Sequence, residues 1–280
     1  MLARVSLAAV MVASWTGMAL AQPAQGTAEA PAWVGIGIGD GRLGVVVKTV
    51  WEPAATAGLI EGDEVMSVQG VRVMGTTELV AAVRQHQPGT TVRLDLLRGG
   101  KMRTVHVTLE AKPPNSELVE RHLLGKPAPA LAGEATSRAR SATLVGHRGD
   151  VVVMAMFGSG CTSCAPVFSK LSMLAKGQER GLSVLGAMLG HPAAAEAVSS
   201  RHSLPFGLLS IADELASRWA WFDPAAPVIA VIDPRGVVRY AGTIDGGLSP
   251  EAAERAVAVE VDQAVFVAER LLRSARTGAR

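Results

Sequence analysis

Cysteine is nearly missing from this chain. Its 280 residues hold two, Cys161 and Cys164, so no web of disulfides braces the fold. A structural zinc site usually takes four ligands. Only His191 and His202 lie near the pair in sequence, at a spacing that fits no common finger. Aromatic residues are scarce at 4%, and no basic run has aromatics interleaved. The formal net charge is only +2. Nothing in that balance marks nucleic acid or an anionic membrane as a partner. Beyond the N-terminus no run of about 18 uncharged apolar residues occurs, so no spanning helix is expected. What the chain does have is apolar mass. Hydrophobic residues make up 49%, enough for packed cores and too much for a wholly disordered chain. The length suits two ordinary domains or one large one.

The N-terminus has the layout of a secretory signal peptide: a positive start, "MLAR", an apolar stretch, "VSLAAVMVASWTGMAL", and a small-residue site, "ALAQ". Residues 1–21 are read as that signal, with cleavage after Ala21, and the mature chain is expected to be exported, soluble and periplasmic. No cysteine follows the apolar stretch to accept a lipid. In an oxidising compartment two thiols that can meet usually pair. A bridge across two residues closes a very small loop, however, and restricts the unfolded chain little. The pair therefore has little value as a staple.

Two halves flank a proline-rich stretch, "AKPPNSELVERHLLGKPAPA". Its composition marks a linker, which sets a first domain at 32–112, a linker at 113–121 and a second domain at 122–280. In the first half "GVVVKTV", "EVMSVQG", "TVRLDLLR" and "TVHVTLE" read as strands, the last two joined by a "GGK" turn. "TTELVAAVRQHQPG" reads as a helix capped by threonine, with Leu79, Val80 and Val83 at helical spacing. The expectation is a small, mostly β sandwich or barrel with one helix. It holds no nucleophile and base that could work together. "GIGIG" lacks the lysine of a phosphate-binding loop.

"PAATAGLIEGDEVMSVQGVRV" resembles the signature of bacterial PDZ domains, and "AWVGIGIG" resembles their entry loop. That resemblance implies a peptide-binding module. Val34, Gly35 and Ile36 would present backbone N–H groups to a peptide C-terminus, Gly35 being glycine so that backbone can approach a carboxylate. The peptide would add as a strand beside residues 35–38, with Leu79 and Val83 lining its side-chain pocket. Residues of the latter type also serve as plain core.

The second half alternates strand and helix patterns, which implies a sheet covered on its faces. "VVVMAMF" reads as a buried strand and "APVFSKLSMLAKGQ" as a helix, so "CTSC" sits where the strand ends and the helix begins. Free N–H groups and the positive end of the helix dipole favour a thiolate there. Cys161, the first and more exposed, is the expected nucleophile. Cys164, one turn on and more buried, is the expected resolving thiol. The final "SPEAAERAVAVEVDQAVFVAERLLRSA" reads as a long amphipathic helix capped by Ser249, with Pro250 in its first position.

From "LLGKPAPAL" through "CTSC" and "LPFGLLSIADELASRWAWF" to "APVIAVIDPRGVVRYAG", the half resembles the thioredoxin-like family, in its exported branch of TlpA-type thiol–disulfide proteins. The resemblance implies an α/β thioredoxin-like fold, a redox-active pair, and a cis-proline at Pro227 facing it. It also implies protein thiol or disulfide substrates and a redox partner protein, with no cofactor and no metal. The chain departs from the pattern at Gly160, where relatives carry tryptophan, and at Ala155, where thioredoxins carry a buried acid. A peroxiredoxin would place proline and threonine ahead of its cysteine, and "MFGSGC" has neither. No Ser-His-Asp triad assembles around Ser159. The expected function is thiol–disulfide exchange with a PDZ module that recruits proteins by their C-terminal peptides. The alternative is a peptide-binding adaptor whose second domain is redox-regulated or degenerate.

Overall fold

The computed structural model describes residues 30–139, 141–177, 179–220, 225–245 and 248–278. The expected signal segment, 1–21, lies outside the described residues. No helix among the described residues is long and apolar enough to cross a membrane.

The first domain runs β1 (Ala32–Trp33), β2 (Ile36–Asp40), β3 (Val45–Val50), β4 (Glu64–Val68), β5 (Val71–Arg72), α1 (Thr76–Arg84), β6 (Thr91–Arg98), β7 (Lys101–Thr108) and β8 (Glu110–Ala111). Its main sheet is open, in the order β2-β3-β4-β6-β7 with β5 on β4, while β1 and β8 pair separately. Alternation sets which face is buried: Val45 and Val47 on β3, and Val92, Leu94 and Leu96 on β6, all point into one core. Leu79 and Val83 of α1 close that core, so a helix does what a second full sheet would do in a sandwich. Gly99 and Gly100 turn β6 into β7 with φ of 55° and 78°, the left-handed pair that a two-residue hairpin needs. The expected threonine cap of α1 is absent. Gly75 is the N-cap, and its neighbours' amides go instead to carboxylates, Met74 N to Glu78 and Thr76 N to Asp40. Asp63 is fully buried; it accepts two N–H bonds from Arg98, both 2.7 Å, and one from the Ile60 amide. That ion pair fixes the loop between β3 and β4.

The linker expected at 113–121 is a helix, α2 (Asn115–Leu123). Pro114 stands at its N-cap, and Leu118, Val119 and Leu123 are buried on one side. Val119 and Leu123 belong to the second domain's core. The prolines that suggested a loose segment bound a helix rather than exclude one, since proline is tolerated at a helix start.

The second domain runs β9 (Glu134–Ala135), β10 (Val151–Gly158), α3 (Ala165–Lys176), β11 (Leu182–Leu189), α4 (Pro192–Arg201), β12 (Gly207–Ile211), α5 (Asp213–Arg218), β13 (Val228–Ile232), β14 (Val238–Gly242) and α6 (Pro250–Gly278). The sheet order is β14-β13-β10-β11-β12-β9. Strands β10, β11 and β12 are parallel, and β13 runs antiparallel to β10. All eight residues of β10 are buried because both faces of the sheet are covered. Val151, Val153, Ala155 and Phe157 face a core shared with α3 and α6; Val152, Met154 and Met156 face one shared with α2 and Trp219. Ser249 accepts from the Ala252 amide at the start of α6, and Pro250 is its first residue.

Candidate active site and peptide groove

Strand β10 delivers the chain to the end of the sheet at Gly158, and α3 leaves from Ala165. The cysteines lie between them. Their sulfurs stand 2.02 Å apart, at disulfide distance. Cys164 is fully buried in the core beside Ala155 and Val167, whereas Cys161 is half-buried at its edge. That asymmetry is what an attacking and a resolving thiol require. Cys164 is also the N-cap of α3, so the pair sits at the positive end of the helix dipole. No acid occupies the core position at Ala155.

Sequence reasoning passed over Ser163. Its hydroxyl is buried, 3.7 Å from Cys161 Sγ and 3.4 Å from the Ala225 carbonyl. That carbonyl also lies 3.4 Å from Cys161 Sγ. In the disulfide, Sγ has no proton to donate, so this is a contact of two electron-rich atoms. After reduction a Cys161 thiol can donate to Ala225 O, while a thiolate can accept from Ser163.

Pro227 corrects an expectation. Among the described residues Glu52–Pro53 is the cis peptide bond, and the bond into Pro227 is trans. Trans is the lower-energy X–Pro isomer by about 0.5–1 kcal/mol. Pro227 directly precedes β13, buried, with its carbonyl accepting from Thr243 Oγ1 at 2.8 Å. Ala225, two residues earlier, meets the cysteines. His191 is exposed as the N-cap of α4, and His202 packs against Phe168, with ring centres 4.6 Å apart.

At the first domain, Val34, Ile36, Leu79 and Val83 line one cavity of about 440 Å³. Strand β2 ends its sheet, so its outer edge pairs with no strand among the described residues. Gly35 lies at the mouth of β2 with φ of +86°. A β-carbon there would stand 2.5 Å from Glu52 O, and Gly35 O accepts from Trp51 N. The close approach to the chain's own backbone by itself demands glycine here.

The cavity has a second wall that the sequence did not announce. Leu118 of α2, Leu189 at the end of β11, and Ala216 and Ser217 of α5 line it as well. The domains are latched beside it. Trp51 stacks on Trp33 and donates from Nε1 to His122 Nδ1 at 3.2 Å; His122 Nε2 lies 3.0 Å from the Arg218 carbonyl. Burial pushes the His122 imidazole below its ordinary value. Both contacts fit the neutral ring, with Nδ1 accepting and Nε2–H donating.

Comparison with known proteins places these halves. Residues 32–109 match the PDZ domain family model, and residues 124–241 match the AhpC/TSA family model. The chain carries a PDZ domain followed by a redoxin domain. A zinc metalloprotease RasP of Geobacillus kaustophilus is 41% identical over 66 residues, 24% of this chain and 15% of that protein. A probable periplasmic serine endoprotease DegP-like of Bartonella henselae is 28% identical over 83 residues, 30% of this chain and 16% of that one. The chain thus spans about a sixth of the length of these curated relatives. A solved thiol:disulfide interchange protein of the thioredoxin family from Chlorobium tepidum is 17% identical, with 49% of this chain and 97% of that one covered, at a TM-score of 0.35. In this chain the PDZ domain carries the β2–α1 groove, and the redoxin domain carries Cys161 and Cys164.

Proposed function

We propose that this chain is an exported thiol–disulfide oxidoreductase whose PDZ domain recruits proteins by their C-terminal peptides. The observation that carries the reading is the placement of the pair: Cys161 half-buried at the end of β10, Cys164 buried as the cap of α3, both inside a redoxin domain. In the reductive direction the Cys161 thiolate attacks one sulfur of a substrate disulfide. A mixed disulfide forms and one substrate thiolate leaves. The Cys164 thiolate then attacks Cys161 Sγ and releases the second substrate thiolate. Two electrons have passed to the substrate, and the pair ends as a disulfide that a dithiol partner protein must reduce. The oxidative direction is the same two exchanges reversed.

The groove supports the recruitment half of the reading: a strand edge that pairs with no strand among the described residues, beside an apolar cavity, suits an added peptide strand. Holding a substrate tail there raises the local concentration of its cysteines, into the millimolar range for a short connection. Export follows the signal-like N-terminus.

The test is exchange with a protein disulfide by the full chain, its Cys161→Ser variant and its Cys164→Ser variant. Loss of turnover in Cys161→Ser and trapping of a mixed disulfide by Cys164→Ser are expected. Full function in the cell with Cys161→Ser would sink the enzyme reading and leave the peptide-binding adaptor.

A further inference from the structure

The loop before β13 meets the cysteines through one carbonyl. Ala225 O lies 3.4 Å from Cys161 Sγ and 3.4 Å from Ser163 Oγ. Two residues on, Pro227 has no N–H to give to a neighbouring strand. The register of β13 with β14 ends where Ile229 faces Gly242, so Pro227 lies beyond the last paired residues. A side chain holds it there. Thr243, the residue after β14, is buried, and its hydroxyl donates to the Pro227 carbonyl at 2.8 Å. That is a normal length for an O–H···O bond, and the branched β-carbon restricts the rotamers open to threonine.

What this carbonyl does to Cys161 depends on the state of the sulfur. A thiol can donate to it. A thiolate and a disulfide sulfur have no proton to give, and each meets the negative end of the carbonyl dipole. A carbonyl fixed at this distance therefore favours the thiol over both other forms. It raises the pH at which Cys161 ionises and, below that pH, makes the disulfide easier to reduce. It thus opposes the dipole of α3, which favours the thiolate. A carbonyl free to turn away would do neither.

We infer that Thr243 is a positioning residue for the dithiol, acting through Pro227 to hold the Ala225 carbonyl against Cys161. The inference rests on the thiol–disulfide reading above and adds to it a residue that works through the loop. Asp245, on the same segment, has a different task. Its carboxylate accepts from the Asn115 amide and from Ser116 Oγ at the start of α2. It supplies a control that loosens the same stretch of chain without removing the bond to Pro227.

Thr243→Val and Thr243→Ala remove the hydroxyl, the second with less demand on space, and Thr243→Ser keeps it. In the full chain, alkylation of reduced Cys161 is followed against pH. The pair is also equilibrated with glutathione below the pH of half-maximal alkylation; two glutathione thiols become one disulfide as the Cys161–Cys164 disulfide opens to two thiols. Without the hydroxyl, half-maximal alkylation should move down by about half a pH unit. Half-reduction should need a glutathione thiol-squared to disulfide ratio about two- to fivefold higher. Thr243→Ser should restore both readings. Asp245→Ala should lower the melting temperature and leave both in place, with thermal melts confirming that every variant folds. Readings unmoved or moved the other way in the hydroxyl-free variants, shared by Thr243→Ser, or matched by Asp245→Ala would overturn the role given to Thr243. Exchange by the wild type would meanwhile leave the thiol–disulfide reading standing. A wild-type pair that neither opens in glutathione nor exchanges with a protein disulfide takes down that reading and this one together.

Discussion

Gly35→Ala separates two reasons for a glycine at the mouth of the β2–α1 groove. If glycine were there for a ligand carboxylate, alanine would weaken peptide binding and leave the fold alone. The fold itself supplies the other reason. Gly35 has φ of +86°, and holding a residue with a β-carbon in left-handed backbone costs about 1–2 kcal/mol. The added carbon would lie 2.5 Å from Glu52 O, 2.6 Å from its carbonyl carbon and 2.8 Å from Pro53 N. All three are backbone atoms and cannot swing aside, and forced overpacking of that kind costs about 1–3 kcal/mol. Together the substitution should remove about 2–5 kcal/mol, a large share of the roughly 5–15 kcal/mol that holds a domain. Urea unfolding of the full chain, followed by tryptophan fluorescence, should show the PDZ transition moved down by about 1–3 M. Exchange with a small disulfide should keep its wild-type rate, because Cys161 and Cys164 belong to a separate core. A midpoint unchanged from wild type, with peptide affinity alone lost, would refute this account of Gly35.

Two further predictions concern the redox pair and the latch. Ser163→Ala removes the hydroxyl beside Cys161, leaving the thiolate to face the Ala225 carbonyl. The pH of half-maximal alkylation of Cys161 in the reduced protein should rise by about one unit. Ser163→Thr should restore it, and an unchanged profile in Ser163→Ala would rule out the hydroxyl as a positioning group. At the latch, burial lowers the His122 pKa in the folded chain, so the unfolded chain binds its proton first as pH falls. The stability held by neutral His122 is therefore complete above about pH 6.5 and is lost as pH drops below it toward the folded value. Urea midpoints measured from pH 7.5 to 5 should fall in the wild type and stay flatter in His122→Gln; parallel curves would show that His122 does not titrate against the fold.

The elements that were legible in the sequence are those whose pattern admits one period. "VVVMAMF" is apolar at every position, which a strand buried on both faces requires, and it became β10 at the centre of the sheet. Pro250 behind Ser249 marked the start of α6. The misread elements share a different trait: their state was decided by what they pack against. Residues 115–123 look like linker because prolines precede them, yet Val119 and Leu123 find a core far along the chain, at Val152 and Met154. The isomer at Pro227 depends on a loop geometry that composition does not encode. Trp51 and His122 carry no mark in sequence that they will share a hydrogen bond. One signal admits two readings. "GIGIGD" puts glycine at every second position of β2, a pattern that also fits an entry loop showing its amides to a ligand. A strand that keeps one face free of side chains is also a strand against which something large must come close. In this chain those neighbours are Trp51 and Thr49 at Gly37 and Lys48 at Gly39, all of the PDZ domain, and Thr49 in turn donates to the Ser217 carbonyl of the redoxin domain. The period-two glycines are thus a packing signature: they leave room for the side chains of β3 and of Trp51 within the same domain.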